Sequence, residues 1–77
     1  MKIVIQGAGE VGSHLAKMLS LEANDITVID NDPERLAEIS SIADVVAVEG
    51  SPSSLRTMRE AGVQDADLFI SVVPFVP

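Results

Sequence analysis

Three glycines near the N-terminus are the residues whose types and spacing most clearly indicate chemistry. The sequence reads Gly7-Ala8-Gly9-Glu10-Val11-Gly12 directly after a short apolar run, which is a G-x-G-x-x-G pattern where a strand gives way to a helix. There Gly7 permits a tight turn, Gly9 lets a pyrophosphate approach the backbone, and Gly12 lets the helix pack against the strand. The helix N-terminus offers free N–H groups to phosphates. We therefore predict a backbone cradle for phosphates.

A carboxylate at the end of the second apolar run completes the predicted binding site. Asp30 lies 18 positions after Gly12, close to the interval of about 20 that separates such glycines from a ribose-binding acid. It would accept hydrogen bonds from the ribose hydroxyls and repel a 2′-phosphate. The residues therefore disfavour NADP relative to NAD, ATP or ADP.

Each of these residues also has a purely structural interpretation. The glycines alone would serve a tight turn and close packing, and Asp30 would be a turn-forming carboxylate beside Asn31. Glu10 lies either near the phosphates or in a first helical turn where it complements the helix dipole. Arg35 lies either over the adenine or in solvent on a helix. The sequence leaves these alternatives open.

No combination of residues predicts a catalytic or metal centre. His14, the single histidine, has no second histidine, cysteine or placed carboxylate to orient it as a general base. Ser53 and Ser54 have no base to activate them and are better explained as first-turn helix residues. The absence of cysteine excludes disulfides and thiolate zinc sites. We therefore predict no catalytic group within these 77 residues.

Four short apolar runs alternate with segments of helical spacing. Their nearly continuous Val, Ile and Leu content is typical of a sheet covered on both faces. The runs cover Lys2 to Gln6, Asp25 to Asp30, Asp44 to Glu49 and Asp67 to Val73. The alternation predicts an α/β fold, with a Rossmann-like parallel sheet of four strands in the order 3-2-1-4 and three helices. We expect residues 1–77 to form half of a full Rossmann domain.

Apolar spacing and end signals position the first two helices. The second begins after Asp32 as N-cap with Pro33 in its first turn, and it turns Leu36 and Ile39 inward. For the first helix, from Glu10 to Ser20, we expect one buried apolar stripe. That stripe consists of Val11, Leu15, Met18 and Leu19.

The third helix repeats these signals. We expect Ser51 as its N-cap, Pro52 in its first turn, and Leu55 and Met58 on its buried side. Gly62 should end the helix in a left-handed conformation.

Composition excludes several classes of protein. The 77 residues carry 5 basic and 12 acidic side chains, a formal net charge of −7, and the scattered bases do not form the cluster that nucleic acid requires. No apolar run approaches the roughly 18 residues of a membrane-spanning helix, and nothing resembles a signal peptide. We expect a cytoplasmic protein without direct membrane insertion. Because the apolar tail Pro74 to Pro77 leaves the last strand uncovered, we also expect self-association.

Several stretches of the sequence resemble a known family. Residues Met1 to Gly12, and Val28 to Leu36, are similar to the N-terminal nucleotide-binding domain of the TrkA-type potassium-uptake regulators, the RCK or KTN group. The helix from Leu55 to Gly62 and the run Gln64 to Ile70 resemble the family's L-x-x-A-G-(apolar)-x-x-A-D segment. Many dehydrogenases share the glycine motif, whereas its combination with the second segment points to the regulators.

The resemblance implies a regulatory module and not an enzyme. Such domains lie at the cytoplasmic side of a potassium channel or transporter, form dimers and larger rings, and bind NAD(H), ATP or ADP. It implies a ribose role for Asp30 and a place near the adenine for Arg35. Where the family usually has Gly-Asp after the third strand, this sequence has Gly50-Ser51, which puts contacts there in doubt. The candidate cofactor-binding residues are Gly7, Ala8, Gly9, Glu10, Val11, Gly12, Asp30, Asn31, Arg35, Gly50 and Ser51.

Two other functions stay open at this point. The first half of the sequence is equally typical of the cofactor-binding half of an NAD-dependent dehydrogenase, whose catalytic residues would lie outside these 77 residues. The other possibility is an incomplete domain that associates with itself and has an empty ligand site.

Overall fold

Strands and helices alternate along the chain in a computed structural model, which describes residues 1–51 and 53–72. The elements in chain order are β1 (Lys2–Gln6), α1 (Glu10–Ser20), β2 (Asp25–Asp30), α2 (Pro33–Ile42), β3 (Val45–Glu49), α3 (Leu55–Glu60) and β4 (Leu68–Ser71). A short 3₁₀ turn at Val63–Asp65 precedes β4. The predicted α/β fold with three helices is confirmed.

The four strands form one parallel sheet in the order β3-β2-β1-β4, as the sequence predicts. Lys2 of β1 pairs with Asp25 of β2, and Ile3 pairs with Leu68 of β4. The chain therefore winds outward from β1 to β3 and then crosses back to add β4 on the other side of β1. Ligands of open α/β sheets bind at the carboxyl ends of the strands where the winding reverses.

The centre of the sheet is covered on both faces. One face packs against α1 and α2 through β1 and β2 residues such as Ile5 and Val28. On the other face Val4 and Ile29 pack against Met58 of α3 and against Ala61, which follows that helix. The edge strands β3 and β4 are mostly exposed or half-buried. Cover on both faces was therefore predicted correctly for the central strands and wrongly for the edges, because the helices lie over the middle of the sheet.

The buried face of α1 differs from the predicted stripe. Leu15 and Leu19 pack against the core as expected, whereas Val11 and Met18 are 64% and 54% exposed. The small residue Gly12 is buried instead, against the backbone of Gly7. Because a helix turns by about 100° per residue, a face centred on Gly12 leaves Val11 and Met18 at its side.

The start of α2 agrees with the prediction. The Asp32 side chain accepts a hydrogen bond from the backbone N–H of Glu34, with Pro33 in the first turn. Leu36 and Ile39 are both buried. This cap fixes α2 directly after the end of β2, next to the glycine-rich turn.

The start of α3 does not agree with the prediction. Its N-cap is Ser54, whose hydroxyl accepts from the Thr57 backbone N–H at 3.4 Å. Ser51, the predicted cap, shares a hydrogen bond of 3.0 Å with the Ser53 hydroxyl. Pro52 lies outside the described residues. The cap prediction was wrong because two cap-type serines lie within one turn, and sequence spacing alone does not choose between them.

The later start also changes which side of α3 is buried. Leu55, expected inside, is 68% exposed, while Thr57 and Ala61 are buried and Met58 packs against the core. Around the helix, Leu55 lies about 160° from Thr57 and about 120° from Ala61, away from the buried side. Gly62 has a φ of 78°, so the predicted left-handed ending is confirmed.

The two edge strands begin one residue later than predicted, at Val45 and Leu68, so Asp44 and Asp67 precede them. β4 ends at Ser71, before the predicted end at Val73, a residue outside the described part of the chain. The apolar tail, residues 74–77, lies outside that part as well.

The position of the α3 cap gives a first stability prediction. Ser54→Ala removes the acceptor of the Thr57 N–H and is expected to lower the free energy of unfolding by about 0.5–1 kcal/mol. Ser51→Ala is the matched control and should change it by less than about 0.5 kcal/mol. Urea denaturation measures both. A larger loss for Ser51→Ala would show that Ser51 is the cap after all.

Candidate functional site

The glycine loop is a tight turn that connects β1 to α1. Gly7 has a φ of 108°, which residues with a Cβ rarely adopt, and its N–H donates to the Ile29 carbonyl oxygen at 2.7 Å. A Cβ on Gly12 would overlap the Gly7 carbonyl oxygen. The Ser13 hydroxyl donates to the Ala8 carbonyl oxygen at 2.8 Å and fixes the loop on α1. Gly7 and Gly12 are therefore required by the fold itself.

Gly9 differs from these two glycines. It is the N-cap of α1, with a φ of −70° that any residue adopts. Among the described atoms, a Cβ on Gly9 would approach only Arg35 Nη1 within 4 Å, at a distance of 3.9 Å. Neither backbone strain nor packing requires glycine here, and no side chain caps the first N–H groups of α1. The purely structural interpretation of the motif therefore explains Gly7 and Gly12 but not Gly9.

Asp30 joins the end of β2 to the glycine loop. The residue is only 4% exposed. Its Oδ2 accepts from the Ala8 N–H at 2.8 Å, and its Oδ1 accepts from the Asp32 N–H at 2.8 Å. The second bond is the turn-forming role that the sequence left open. The first holds the carboxylate against the loop, and each oxygen keeps a further lone pair for another donor.

Arg35 of α2 extends toward the same point. Its Nη1 lies 3.9 Å from Asp30 Oδ2, and its Nε lies 3.7 Å from Asp32 Oδ2. Both distances exceed hydrogen-bond length, so attraction between charges holds the guanidinium there. The side chain is 56% exposed. Arg35 is therefore more than a solvated helix residue, because its charged end lies beside the loop.

Two clefts flank the glycine loop and share Gly9, Glu10 and Arg35. The smaller cleft, of about 250 Å³, is further lined by Gly7, Val11, Gly12, Asp30 and Val72. The larger cleft, of about 370 Å³, lies between α1 and α2 and is further lined by Ala8, Ser13, Glu38, Ile39 and Ile42. The structure thus brings the whole glycine motif, Asp30 and Arg35 to one place.

Three candidate residues line neither cleft. Asn31 is exposed directly after β2, and Ser51 is exposed after β3. The Gly50 N–H donates to the Asp30 carbonyl oxygen at 3.0 Å, and a Cβ on Gly50 would lie 2.5 Å from Thr57 Oγ1. Close packing of α3 therefore accounts for Gly50 without a ligand.

Sequence reasoning missed five residues that line the clefts: Ser13, Glu38, Ile39, Ile42 and Val72. Glu38 and Ile42 lie three and seven positions after Arg35, so helical periodicity counted from Arg35 would have found them. Val72 reaches the site because its N–H donates to the Gln6 carbonyl oxygen at 2.9 Å, a long-range contact without a local signal.

The residues considered for catalysis or metal binding lie apart. His14 is exposed on α1, and Ser54 caps α3. Within residues 1–51 and 53–72, no three His, Asp or Glu side chains are grouped so that they could hold a metal ion. The same described part of the chain contains no helix long and apolar enough to span a membrane. That the protein is not an enzyme stays a prediction.

The strand order, the glycine loop after β1 and the buried acid after β2 define the first half of a Rossmann-like α/β domain. The family model of the TrkA-N domain matches residues 3–75, and the chain belongs to this family. The resemblance drawn from the sequence is therefore confirmed.

Curated relatives agree with this assignment. The chain is 49% identical over 72 residues to the Trk system potassium uptake protein TrkA of Haemophilus influenzae, and equally to that of Halomonas elongata. It is 47% identical over 73 residues to the Trk system potassium uptake protein TrkA homolog of Archaeoglobus fulgidus. These alignments cover 94% of this chain but 16% of each relative. The chain therefore spans about a sixth of their length.

Proposed function

We propose that this chain is a nucleotide-binding regulatory module of a potassium-uptake system and that it binds NAD(H), with ATP or ADP as alternative ligands. Family membership and the names of the relatives support the first part. The geometry of the glycine loop supports the second. In this proposal the candidate residues that line the clefts contact the ligand directly. Asn31, Gly50 and Ser51 would contribute to binding at the edge of the site.

One observation carries the proposal: the Asp30 carboxylate lies against the glycine loop, with Oδ2 2.8 Å from the Ala8 nitrogen. A pyrophosphate on the free N–H groups after Gly9 would place the adjoining ribose beside this carboxylate. The remaining lone pairs of Asp30 would accept the ribose hydroxyls. Gly9, for which the fold gives no other reason, leaves the phosphates room to approach.

The charge around Asp30 favours a ribose with two free hydroxyls. A 2′-phosphate would stand next to the buried Asp30 carboxylate, with Asp32 close by. Repulsion between like charges in a partly desolvated site is stronger than in water. We therefore propose NAD(H) and not NADP(H) as the dinucleotide.

The proposed partner is a membrane potassium transporter or channel subunit, with the module at the cytoplasmic face of the membrane. We further propose a homo-oligomer of two or more copies. A nucleotide regulates transport only if it binds two arrangements of such an assembly with different affinity. No catalytic step is part of this proposal. The relatives named above are potassium-uptake proteins, which favours regulation over the dehydrogenase alternative.

Calorimetric titration of the full-length protein with NADH, NAD, ADP, ATP and NADP tests the ligand. We expect NADH, NAD or an adenine nucleotide to bind, and NADP to bind at least about tenfold more weakly than NAD, a difference of about 1.4 kcal/mol. NAD is the matched control for NADP because the two differ by one phosphate. Equal affinity for NAD and NADP would contradict the ribose role of Asp30, and no binding by any of the five would contradict the proposed function.

A further inference from the structure

We infer that Arg35 is the phosphate-binding side chain of this site. When a nucleotide binds, its guanidinium leaves the ion pair with Asp30 and binds the phosphates instead. This inference rests on the proposed function, because it concerns the same site. It differs from the expectation drawn by resemblance, which placed Arg35 near the adenine.

The position of the guanidinium supports contact with phosphate. Arg35 Nη1 lies 3.9 Å from Asp30 Oδ2, and also 3.9 Å from the point where a Cβ on Gly9 would stand. Its charged end therefore lies between the acid proposed to bind the ribose and the loop proposed to bind the pyrophosphate. Both clefts include Arg35 in their lining, so a ligand entering either one meets this side chain.

The charge balance of the clefts shows why a cation is needed. Among the described residues that line them, Glu10, Asp30 and Glu38 are acidic and Arg35 is the one basic residue. A helix N-terminus contributes only about half a positive charge. A pyrophosphate with two negative charges would therefore meet no positively charged side chain among these lining residues if Arg35 were absent. With Arg35 present, the phosphates gain charge-assisted hydrogen bonds.

The contacts that Arg35 makes in this structure are suited to exchange. At 3.9 Å and 3.7 Å, its ion pairs with Asp30 and Asp32 are longer than hydrogen bonds, and the side chain is 56% exposed. Ribose hydroxyls that donate to Asp30 Oδ2 would take the place of Nη1 there. The guanidinium would then turn toward Gly9, and because its side chain is already exposed it would lose no buried contact. The planar fork of the guanidinium suits two phosphate oxygens.

This role predicts that Arg35 distinguishes the phosphate part of a ligand from its nucleoside part. The full-length protein and its Arg35→Ala and Arg35→Lys variants would be titrated with NADH, ADP and adenosine. Arg59→Ala is the matched control, because Arg59 is an exposed base of α3 that lines neither cleft. We expect Arg35→Ala to weaken NADH and ADP about tenfold or more and adenosine less than about twofold, with partial recovery in Arg35→Lys.

Salt gives a second measurement. The affinity of the wild type for ADP should fall more steeply with ionic strength than that of Arg35→Ala, because the variant lacks the charged contact. Equal weakening of ADP and adenosine would place Arg35 at the adenine or ribose and overturn the inference. Unchanged ADP affinity would overturn it too, while leaving the proposed function intact. A wild type that binds none of the ligands would overturn both.

Discussion

Replacing Gly12 with alanine is expected to remove a large part of the stability of this domain. The new Cβ would overlap the Gly7 carbonyl oxygen and lie 2.9 Å from the Gly7 carbonyl carbon and from Val72 Cγ2. Because two of these atoms belong to the backbone, they have no rotamer that relieves the overlap, so α1 must separate from β1. We expect a loss of about 3 kcal/mol or more, against the roughly 5–15 kcal/mol by which a native domain is typically stable.

Gly9→Ala is the matched control, with the same chemical change three residues earlier. Its methyl group would have open space apart from Arg35 Nη1 at 3.9 Å, so the free energy of unfolding should change by less than about 1 kcal/mol. It should nevertheless weaken NADH binding, because the methyl group stands where the phosphates approach. Urea denaturation and calorimetric titration measure the two effects. Equal destabilisation by both substitutions would mean that the whole motif serves only the turn.

The fold could be predicted from the sequence because its signals are local. The apolar runs of β1 and β2 mark buried strands, and the glycine turn marks the change from strand to helix. Asp32 with Pro33 starts α2 where predicted, since a side-chain cap and a proline act on the next few residues alone. Once these elements are placed, the right-handed crossover and the glycine motif restrict the strand order.

The details that failed depend on contacts between distant parts of the chain. Hydropathy gave α1 a stripe through Val11 and Met18, but the approach of Gly12 to Gly7 sets the rotation of the helix. Similarly, Leu55 is as apolar as a core residue and is exposed because α3 is anchored by Thr57. Apolar periodicity indicates which face of a helix could be buried, whereas in these two helices close packing against the rest of the chain determines which face is buried.

The sequence predicted that the glycine motif and Asp30 lie together, but not which hydrogen bonds they form or that Asn31, Gly50 and Ser51 line neither cleft. Glycine spacing and the interval to Asp30 predicted that the motif and this carboxylate lie close together, and in the structure they do. That Asp30 bonds the Ala8 and Asp32 N–H groups, or that Arg35 lies over the loop, depends on side-chain directions that spacing does not encode.

The connections of Asp30 make its substitutions the strongest test of the site. Asp30→Ala would leave the buried Ala8 N–H and the partly buried Asp32 N–H without their acceptors. Each unpaired donor costs about 1–3 kcal/mol, so we expect a loss of about 2–4 kcal/mol in the free energy of unfolding, together with loss of NADH binding. Because unfolding alone would also abolish binding, this variant does not separate the structural role from the ribose role.

Asp30→Asn separates the two roles because it keeps the shape and one acceptor while removing the charge. Its amide NH2 group, which cannot accept a hydrogen bond, would face one of the two N–H donors. We therefore expect a loss of about 1–2 kcal/mol in the free energy of unfolding and a protein that still folds. NADH should bind at least about tenfold more weakly, and the preference for NADH over NADPH should shrink because the carboxylate no longer repels the 2′-phosphate. Asp25→Asn, at the opposite end of β2 and exposed, is the control and should leave both quantities unchanged. A purely structural Asp30 would lower stability without moving that ratio, so an unchanged preference for NADH would remove the ribose from the site.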